Sequence, residues 1–408
     1  MLVNPTTTGR RRCALLALAG MLAACSGGGD DVVVDGDDAA RPTTTAPADF
    51  VQVATTAPER PTFADGPLSE VCPSVISIQL DDLPSVEHGP LIALLGPDAA
   101  VDPSTGRATA TLVRPDGTIE DGVELDIRVG GPVVDFRRPL DLLASDPTLL
   151  IAQASTEQLL RGLAEAEPAS VESVSVAALT DRSHRMIMWD PATYPTASSI
   201  ADLGALDVEI RHQTADPFIE YLVDQGIVDT DQLVDGFFGE PARFVAEAGA
   251  SAQQGDVLVD PALYPALPQW GQEIAFSTAS DAGWVGYDDH LVVRRADIAT
   301  LSACLGRLVP IVQDAIVAYV EDSTPINATM IEMRAAFDPL SRLSVDILDR
   351  AVADGVAAGV FANGADGAVA SVDTARVDSF LTALAADGAE VAVTDIVTND
   401  FVRPDRSL

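Results

Sequence analysis

Short apolar runs separated by polar turns begin at position 75 and continue to the end of the chain. In the first half, β-branched runs typical of buried strands alternate with segments whose apolar residues recur at helical spacing. The predicted strands are 75–80, 109–113, 123–129, 149–154 and 171–179, and the predicted helices are 87–95, 139–144 and 156–165. Strands that alternate with helices predict an α/β fold with a mainly parallel sheet.

The pattern is interrupted at TDRSHR, residues 180–185, and a second series follows. Its predicted strands are 186–189, 208–212, 257–259, 273–276 and 291–294, and its predicted helices are 216–225 and 241–248. The rest of the chain is mostly helical, with helices predicted at 297–320, 326–337, 344–359 and 374–386. This order predicts a discontinuous outer lobe made of 71–183 and 287–408, with a second lobe, 184–286, inserted between its two parts.

Residues 1–25 have the pattern of a secretory signal. Three arginines, Arg10 to Arg12, precede a short apolar run, and small residues precede Cys25. The apolar run is too short to span a bilayer as a helix. Small residues before a cysteine resemble the lipobox of bacterial lipoproteins, which implies that Cys25 is lipidated and becomes the mature N-terminus. The alternative is an ordinary cleaved signal that leaves Cys25 as a free thiol, and the general and twin-arginine export routes both stay open.

Residues 26–70 are rich in Gly, Asp, Thr, Ala and Pro and have too few apolar residues to bury a core. A disordered tether is therefore predicted here. Of the four cysteines, Cys13 leaves with the signal and Cys25 takes the lipid, so Cys72 and Cys304 remain. In an oxidising compartment these two are expected to form a disulfide, which would place both of them in the outer lobe.

The chain is strongly acidic, with 62 Asp and Glu residues against 24 basic residues, and every basic residue is an arginine. The absence of lysine excludes Schiff-base catalysis and a Walker A phosphate loop. An acidic surface repels nucleic acid and anionic lipid headgroups. The sequence contains no nucleophile elbow, HExxH, CxxC, EF-hand loop or GxGxxG, so neither an enzyme nor a bound cofactor or metal is predicted.

Polar clusters follow several predicted strands. In the stretch IQLDDLPSVEHGPLIALLG, residues 78–96, an apolar run ends in two aspartates and a Glu-His pair precedes the next one. In open α/β sheets, ligands bind beyond the carboxyl ends of strands, where helix N-termini offer N–H groups. Facing strand ends of two lobes would form a cleft. The candidate ligand-binding residues are Asp81, Asp82, His88, Gly131, Ser155, Thr156, Trp189, Thr214 and Asp260.

Some of these residues also have an ordinary structural interpretation. Ser155 stands three positions before Gln158, as in a capping box at a helix start. Trp189 can offer a stacking surface to a ligand, or it can lie in the core. The remaining histidines are scattered along the chain and are expected to be surface or structural residues: His184, His212 and His290.

Several segments resemble, in order, those of the substrate-binding lipoproteins of ABC importers in the nitrate, sulfonate, taurine and thiamine-precursor group. They are the opening stretch with Asp81, Pro84 and His88-Gly89, then RVGGP at 128–132, MIMWDPATY at 186–194, RFVAEAGASAQQG at 243–255, DAGW at 281–284 and VTNDFV at 397–402. Each motif alone is weakly specific. Their order behind a lipobox carries the resemblance, which spans about 72–408.

The resemblance implies the type II periplasmic-binding fold, with two α/β lobes that close on a ligand. It implies a monomeric receptor, anchored by lipid to the outer face of the cell membrane, that delivers a small organic solute to a permease and its ATPase. No chemistry on the solute and no nucleic-acid partner are expected. Relatives commonly carry aromatic residues where this chain has Asp82 and Ile92. This departure disfavours a planar pyrimidine and, if Asp82 faces the cleft, a small anion.

Two functions other than solute binding are also compatible with parts of the sequence. A metal-binding lipoprotein would use Asp81, Asp82, Glu87 and His88. The three carboxylates suit hard cations, whereas zinc sites usually have more than one histidine or cysteine ligand. An enzyme similar to the thiamine-pyrimidine synthases, which share the fold, would rely on a cofactor-linked lysine that this chain lacks. Metal analysis of the purified protein separates the first alternative from a solute receptor.

Overall fold

The computed structural model describes residues 61–164, 172–237, 239–384 and 391–408. The predicted signal, Cys25 and most of the predicted tether lie outside these residues. The end of that tether, 61–70, packs on the globule. The Phe63 ring centroid lies 5.6 Å from that of Phe401, and Leu68 is fully buried. Burial of these two apolar side chains ties the segment to the core.

The described residues form twelve strands in two sheets. In chain order they are β1 Val75–Gln79, β2 Ala100–Asp102, β3 Arg107–Val113, β4 Ile119–Arg128, β5 Ile151–Ala154, β6 Ser173–Ala178, β7 Arg185–Trp189, β8 Ile210–His212, β9 Leu233–Asp235, β10 Ala252–Asp256, β11 Ala275–Thr278 and β12 His290–Arg294. The large sheet has the order β2-β3-β4-β1-β5-β12-β6, and the small sheet has the order β11-β7-β10-β8-β9.

Eleven α-helices accompany the sheets in the described ranges. They are α1 Gly89–Ile92, α2 Pro139–Ser145, α3 Thr156–Ala164, α4 Ile200–Ala205, α5 Pro217–Asp224, α6 Ala242–Ala246, α7 Asp260–Ala266, α8 Ile298–Glu321, α9 Thr324–Phe337, α10 Val345–Ala357 and α11 Thr374–Leu384. The helical C-terminal part agrees with the prediction, and the end of its last predicted helix, 385–386, lies outside the described residues. Two sheets with helices confirm the predicted α/β fold class.

The large sheet is mixed, so the prediction of a mainly parallel sheet is wrong. In it, β1 pairs in parallel with β4 and β5, while its other four pairs are antiparallel. Tight turns join β2 to β3 and β3 to β4, and strands joined by a tight turn pair in antiparallel fashion. β12 is antiparallel because it enters from the small sheet and not through a crossover helix. The small sheet has two parallel and two antiparallel pairs.

The predicted strand 257–259 is wrong, because these residues form the turn before α7 and the strand is β10. β10 reads AQQGD, and its two glutamines interrupt the apolar pattern by which strands are predicted. Gln253 donates to the Tyr264 hydroxyl at 2.6 Å, and Gln254 donates to Asp216 Oδ2 at 2.7 Å. These bonds allow polar side chains to be buried in a strand. The short elements β2, β9, α4 and α7 were not predicted either.

The chain passes between the sheets twice. Residues 179–184 lead from β6 to β7, and residues 279–289 return from β11 to β12. One antiparallel strand separates β6 from β5, and another separates β11 from β10, so each pair runs in the same direction. Both connections therefore leave from the carboxyl ends of strands. The two sheets meet at the edges where their parallel strands end.

The disulfide predicted between Cys72 and Cys304 is confirmed, with Cα atoms 4.7 Å apart. It joins the segment before β1 to α8, whose many buried side chains belong to the same core cluster as the large sheet. Within the described residues, one stretch, Arg295–Glu321, is long and apolar enough to cross a membrane. Most of this stretch is buried inside the protein, as is usual for the core helix of a globular domain.

Candidate functional site

A cavity of about 550 Å³ lies between the edges where the two sheets meet. Residues after β1, after β5 and before β12 line it from the large sheet, and residues around β7, β8, β10 and α7 line it from the small sheet. The end of α9 and the segment after it complete the wall. β7 and β12 run opposite to their neighbours, so they contribute through their N-terminal ends.

Asp81 and Asp82 follow β1, and both line the cavity, so Asp82 faces the cleft. A glycine turn after β4 packs against their backbone. The Gly130 N–H donates to the Asp82 carbonyl and the Gly131 N–H donates to the Asp81 carbonyl, both at 3.1 Å. Gly131 has a φ of +58°, and a Cβ there would clash with the Asp82 carboxylate. Gly131 therefore supports the strand end from behind and does not line the cavity.

His88 is fully buried behind Asp81. Its Nδ1 accepts the Ser85 N–H at 3.1 Å, so its Nε2 carries the proton and donates to Asp81 Oδ1 at 2.9 Å. Asp81, Glu87 and His88 bring three ligand atoms within 4.8 Å of one another, which makes them a candidate metal site. Because both ring nitrogens are already bonded, a metal ion there would have to displace a hydrogen bond. The arrangement holds Asp81 in place and fits a metal poorly.

Glu87 lines the same wall and is only 5% exposed. Its Oε1 lies 3.3 Å from His88 Nδ1, while its Oε2 has no hydrogen-bond partner among the described residues. Burial raises the pKa of Glu87 to about 7. A buried carboxylate oxygen without a donor costs free energy unless something in the cavity pairs with it.

The small sheet contributes a second buried carboxylate. Asp260 begins α7, is 7% exposed, and accepts the Asp256 N–H at 2.8 Å. Burial raises the pKa of Asp260 to about 7. Asp256 lies 3.0 Å from His184 Nδ1. Burial alone would lower the pKa of His184, but the Asp256 and Asp289 carboxylates raise it well above its ordinary value.

A buried polar network ties the two connections between the sheets together. Asp289 is fully buried and accepts hydrogen bonds from Gln153 Nε2 at 2.7 Å and Thr180 Oγ1 at 2.6 Å. Its neighbour Asp288 accepts the His184 N–H at 3.1 Å. One connection therefore supplies the carboxylates and the other supplies the donors. These hydrogen bonds fix the positions of the side chains they join, although Gln153 Oε1 and Asp288 Oδ1 have no hydrogen-bond partner among the described residues.

Arg185 begins β7 and belongs to the same network. Its Nη2 donates to Glu157 Oε1 at 2.8 Å. Its Nε lies 3.6 Å from Asp288 Oδ1, and its Nη1 lies 3.7 Å from Asp216 Oδ1. The guanidinium also lies 5.7 Å from the centroid of the Trp284 ring. Three carboxylates thus surround one guanidinium, so the charge of Arg185 is already neutralised within the protein.

Four of the residues predicted to bind ligand line the cavity: Asp81, Asp82, Ser155 and Asp260. Ser155 also forms the predicted capping box at the start of α3. Its hydroxyl accepts the Gln158 N–H at 3.4 Å, and its own N–H donates to Gln158 Oε1 at 3.3 Å. The cap and the cavity wall are therefore the same structure, so the two interpretations of Ser155 do not exclude each other.

The other candidates, besides His88 and Gly131, also lie away from the cavity surface. Thr156 is buried, its hydroxyl 3.0 Å from His290 Nε2 and accepting the Tyr287 N–H at 2.9 Å. Trp189 is 1% exposed in the core of the small sheet, because β7 lies inside that sheet, so it offers no stacking surface. Thr214 is exposed and does not line the cavity.

Sequence reasoning did not select His184, Arg185, Asp256 or Asp288, which all line the cavity. His184, expected to be a surface or structural residue, lies half-buried on the wall, 3.0 Å from Asp256 and 3.7 Å from Asp288. A signal was present in the sequence. The break at 180–185 separates two strand-helix series, and a chain that crosses between two sheets does so beside the cleft.

The fold and the cleft define a two-sheet α/β protein with buried polar side chains gathered where strands of both sheets end. A solved structure of a protein from Bordetella bronchiseptica RB50 is similar, with a TM-score of 0.51 and 12% identity over 81% of this chain and 96% of that one. At this identity the likeness shows a shared fold.

Binding components of ABC importers are also among the similar structures. The periplasmic nitrate-binding protein NrtA from Synechocystis PCC 6803 has a TM-score of 0.49 and 12% identity over 81% of this chain and 87% of its own. The ligand-binding component of an ABC-type import system from Staphylococcus aureus, with zinc bound, has a TM-score of 0.46 and 13% identity over 82% and 99%. No protein-family model and no curated protein matches the sequence.

Proposed function

We propose that this protein is the extracytoplasmic solute-binding component of an ABC importer. It captures a small organic solute in the cavity between two lobes and delivers it to a membrane permease with its ATPase. The outer lobe comprises 71–183 and 287–408, and the inserted lobe comprises 184–286. The protein acts as a monomer and performs no chemistry on the solute.

The cavity carries this proposal. Its volume of about 550 Å³ is within the usual range for sites that enclose a small molecule, about 300–1,000 Å³. Its walls come from two separate sheets, and the chain passes between them twice. Two connections of this kind allow the sheets to move as bodies about a hinge, which is how hinged binding proteins enclose a ligand. The motifs that resemble ABC-importer receptors support the same function.

The membrane anchor belongs to the proposal as well. A lipid on Cys25 would hold the globule at the outer face of the membrane through the tether that follows. Metabolic labelling with an alkyne-bearing fatty acid during expression in a bacterium tests this. We expect label on the full chain and none on Cys25→Ser. Equal labelling of both proteins, or labelling of neither, would contradict the anchor.

The binding function is tested with the purified protein and the small-molecule fraction of yeast extract. A ligand present at 100 times its dissociation constant stabilises the folded state by about 2.7 kcal/mol, so the melting temperature should rise. The radius of gyration from X-ray scattering should fall as the lobes close. A complete absence of both responses, with no small molecule released on denaturation, would refute the proposal. Metal analysis of the same sample tests the alternative of a metal-binding lipoprotein.

A further inference from the structure

The charge on the cavity wall is strongly biased. Nine lining residues are acidic, and three are arginines. The acidic residues are Asp81, Asp82, Glu87, Asp216, Glu240, Asp256, Asp260, Asp288 and Asp338. The chain is acidic everywhere, so this ratio alone decides little. What distinguishes the wall is burial, since Glu87, Asp260 and Asp288 are each 7% exposed or less. Water solvates acidic residues on the surface, and it has little access to these three.

The arginines of the wall lie mostly against acceptors of the protein itself, although Arg185 Nη1 and Arg334 Nε have no hydrogen-bond partner in the described structure. Arg185 pairs with Glu157, and its other nitrogens lie near two more carboxylates. Arg334 donates to the Pro84 carbonyl at 2.9 Å. Arg342 is exposed at the rim. A nitrate, sulfonate or other anion that approached Arg185 would therefore also meet the carboxylates that surround it.

Negative charge is left over on both sides of the cavity. Glu87 Oε2, on the side of the large sheet, is buried and has no hydrogen-bond partner in the described structure. Asp260, on the side of the small sheet, keeps a buried carboxylate whose one recorded bond is to a backbone N–H. The neighbouring Asp256 adds further charge, which His184 partly neutralises. A ligand that donates hydrogen bonds and carries positive charge would satisfy these groups.

We propose that the solute is an organic cation with N–H groups, such as an ammonium or guanidinium compound, held between Glu87 and Asp260. This proposal rests on the proposed function and names its substrate class. A cation between carboxylates of the two sheets would attract both and so favour closure. The expected class differs from the anions that the nitrate and sulfonate group binds.

The cavity also argues against other kinds of cation. It is far larger than the roughly 30 Å³ that one water molecule occupies, so a bare metal ion would not fill it. A quaternary ammonium is usually held in a cage of aromatic rings. Among the residues that line this cavity, Phe237 is the one aromatic. A carboxylate oxygen without a hydrogen-bond donor is satisfied by an N–H group, and a quaternary ammonium has no N–H group.

The test uses the full-length protein and yeast extract that has been separated on ion-exchange resins. Three pools are compared in a thermal-shift assay, each with and without EDTA: solutes eluted from a cation exchanger, solutes eluted from an anion exchanger, and the flow-through of both. We expect the melting temperature to rise with the first pool alone. A rise with either other pool would overturn the cation proposal and leave the binding function standing. A rise that EDTA abolishes would overturn the organic class. No rise with any pool would refute the binding function and this proposal together.

Variants then test the two carboxylates, using the compound that mass spectrometry identifies in the active pool. Glu87→Gln and Asp260→Asn should each weaken binding at least about tenfold, because each removes a charged hydrogen bond. The matched controls Glu124→Gln and Asp121→Asn, on exposed residues of β4, should leave the dissociation constant unchanged. Melting of the ligand-free variants shows whether they fold. Folded variants with wild-type affinity would overturn the assignment of both residues.

Discussion

Replacement of Asp260 by asparagine should stabilise the ligand-free protein while it weakens ligand binding. The side chain begins α7, is 7% exposed, and uses Oδ2 to accept the Asp256 N–H at 2.8 Å. An asparagine can keep this acceptor with its carbonyl oxygen, so the change removes the charge and little else. Burial raises the pKa of Asp260 from 3.8 to about 7, with the Asp256 N–H acting in the opposite direction and the Asp256 charge adding to the rise.

The magnitude follows from proton linkage. The folded protein holds a proton at Asp260 more tightly than the unfolded chain does, so the ionised side chain destabilises the fold. This cost is small below pH 3.8, grows as the pH rises to about 7, and is constant above that. At 1.36 kcal/mol for each pKa unit, it reaches about 4 kcal/mol at pH 8. A carboxylate at a helix N-terminus recovers about 0.3–1 kcal/mol, so a net gain of about 3 kcal/mol is expected for Asp260→Asn.

Urea denaturation of wild type and Asp260→Asn at several pH values between 4 and 8, without ligand, measures the difference in the free energy of unfolding. The variant should gain little at pH 4 and most at pH 8. The control Asp121→Asn should show no such trend, because its carboxylate is exposed to water. A difference that does not change with pH, or a variant that is less stable than wild type at pH 8, would refute the argument from burial.

Three further outcomes are expected. Binding of an organic cation should release protons near pH 7, because it favours the ionised form of Asp260. The buffer takes up these protons, so calorimetry in phosphate and in Tris should give different binding enthalpies. Equal enthalpies would contradict this prediction. Serine at Cys72 and Cys304 should lower the free energy of unfolding by up to about 5 kcal/mol, since the closed loop spans 232 positions; unchanged urea denaturation would count against it. Asp289→Ala should cost about 3 kcal/mol by leaving two buried donors without an acceptor, and thermal melting at wild-type values would refute this.

Much of the fold could be predicted from apolar periodicity, because α8 and β1 are long or β-branched and lie in the core. The direction of the two pairs that β12 makes in the large sheet could not, since it depends on where β12 enters, and the residue pattern within β12 does not record this. β10 was missed because it reads AQQGD, and its two glutamines each donate a hydrogen bond to a side chain outside the strand. Strand direction and polar satisfaction are both properties of tertiary structure, which local patterns do not record.

The same limit applied to the site. Asp81 and Asp82 could be predicted because they follow an apolar strand directly. The sequence indicated Glu87 only as a possible metal ligand. The structure makes it a candidate for ligand binding, because its Oε2 is buried and has no hydrogen-bond partner among the described residues. In a chain with 62 acidic residues, the position of a carboxylate in sequence says little about its role. Burial without a partner separates the few carboxylates that a ligand could satisfy from the many that water already solvates.

Arg185 joins the network between the two sheets, and its ion pairs affect which ligands the cavity can bind. An anion that bound Arg185 Nη2 would have to displace Glu157, which accepts this hydrogen bond at 2.8 Å, and would leave a buried carboxylate behind. Arg185 Nη1 has no hydrogen-bond partner in the described structure, but it lies 3.7 Å from Asp216 Oδ1. Breaking a buried ion pair in this way costs about 3–5 kcal/mol before any contact with the anion is counted. A cation meets no such cost at Glu87 Oε2, which has no hydrogen-bond partner in the described structure, or at Asp260, whose hydrogen bond comes from a backbone N–H. The network that joins the two sheets therefore favours a cation over an anion that would displace Glu157.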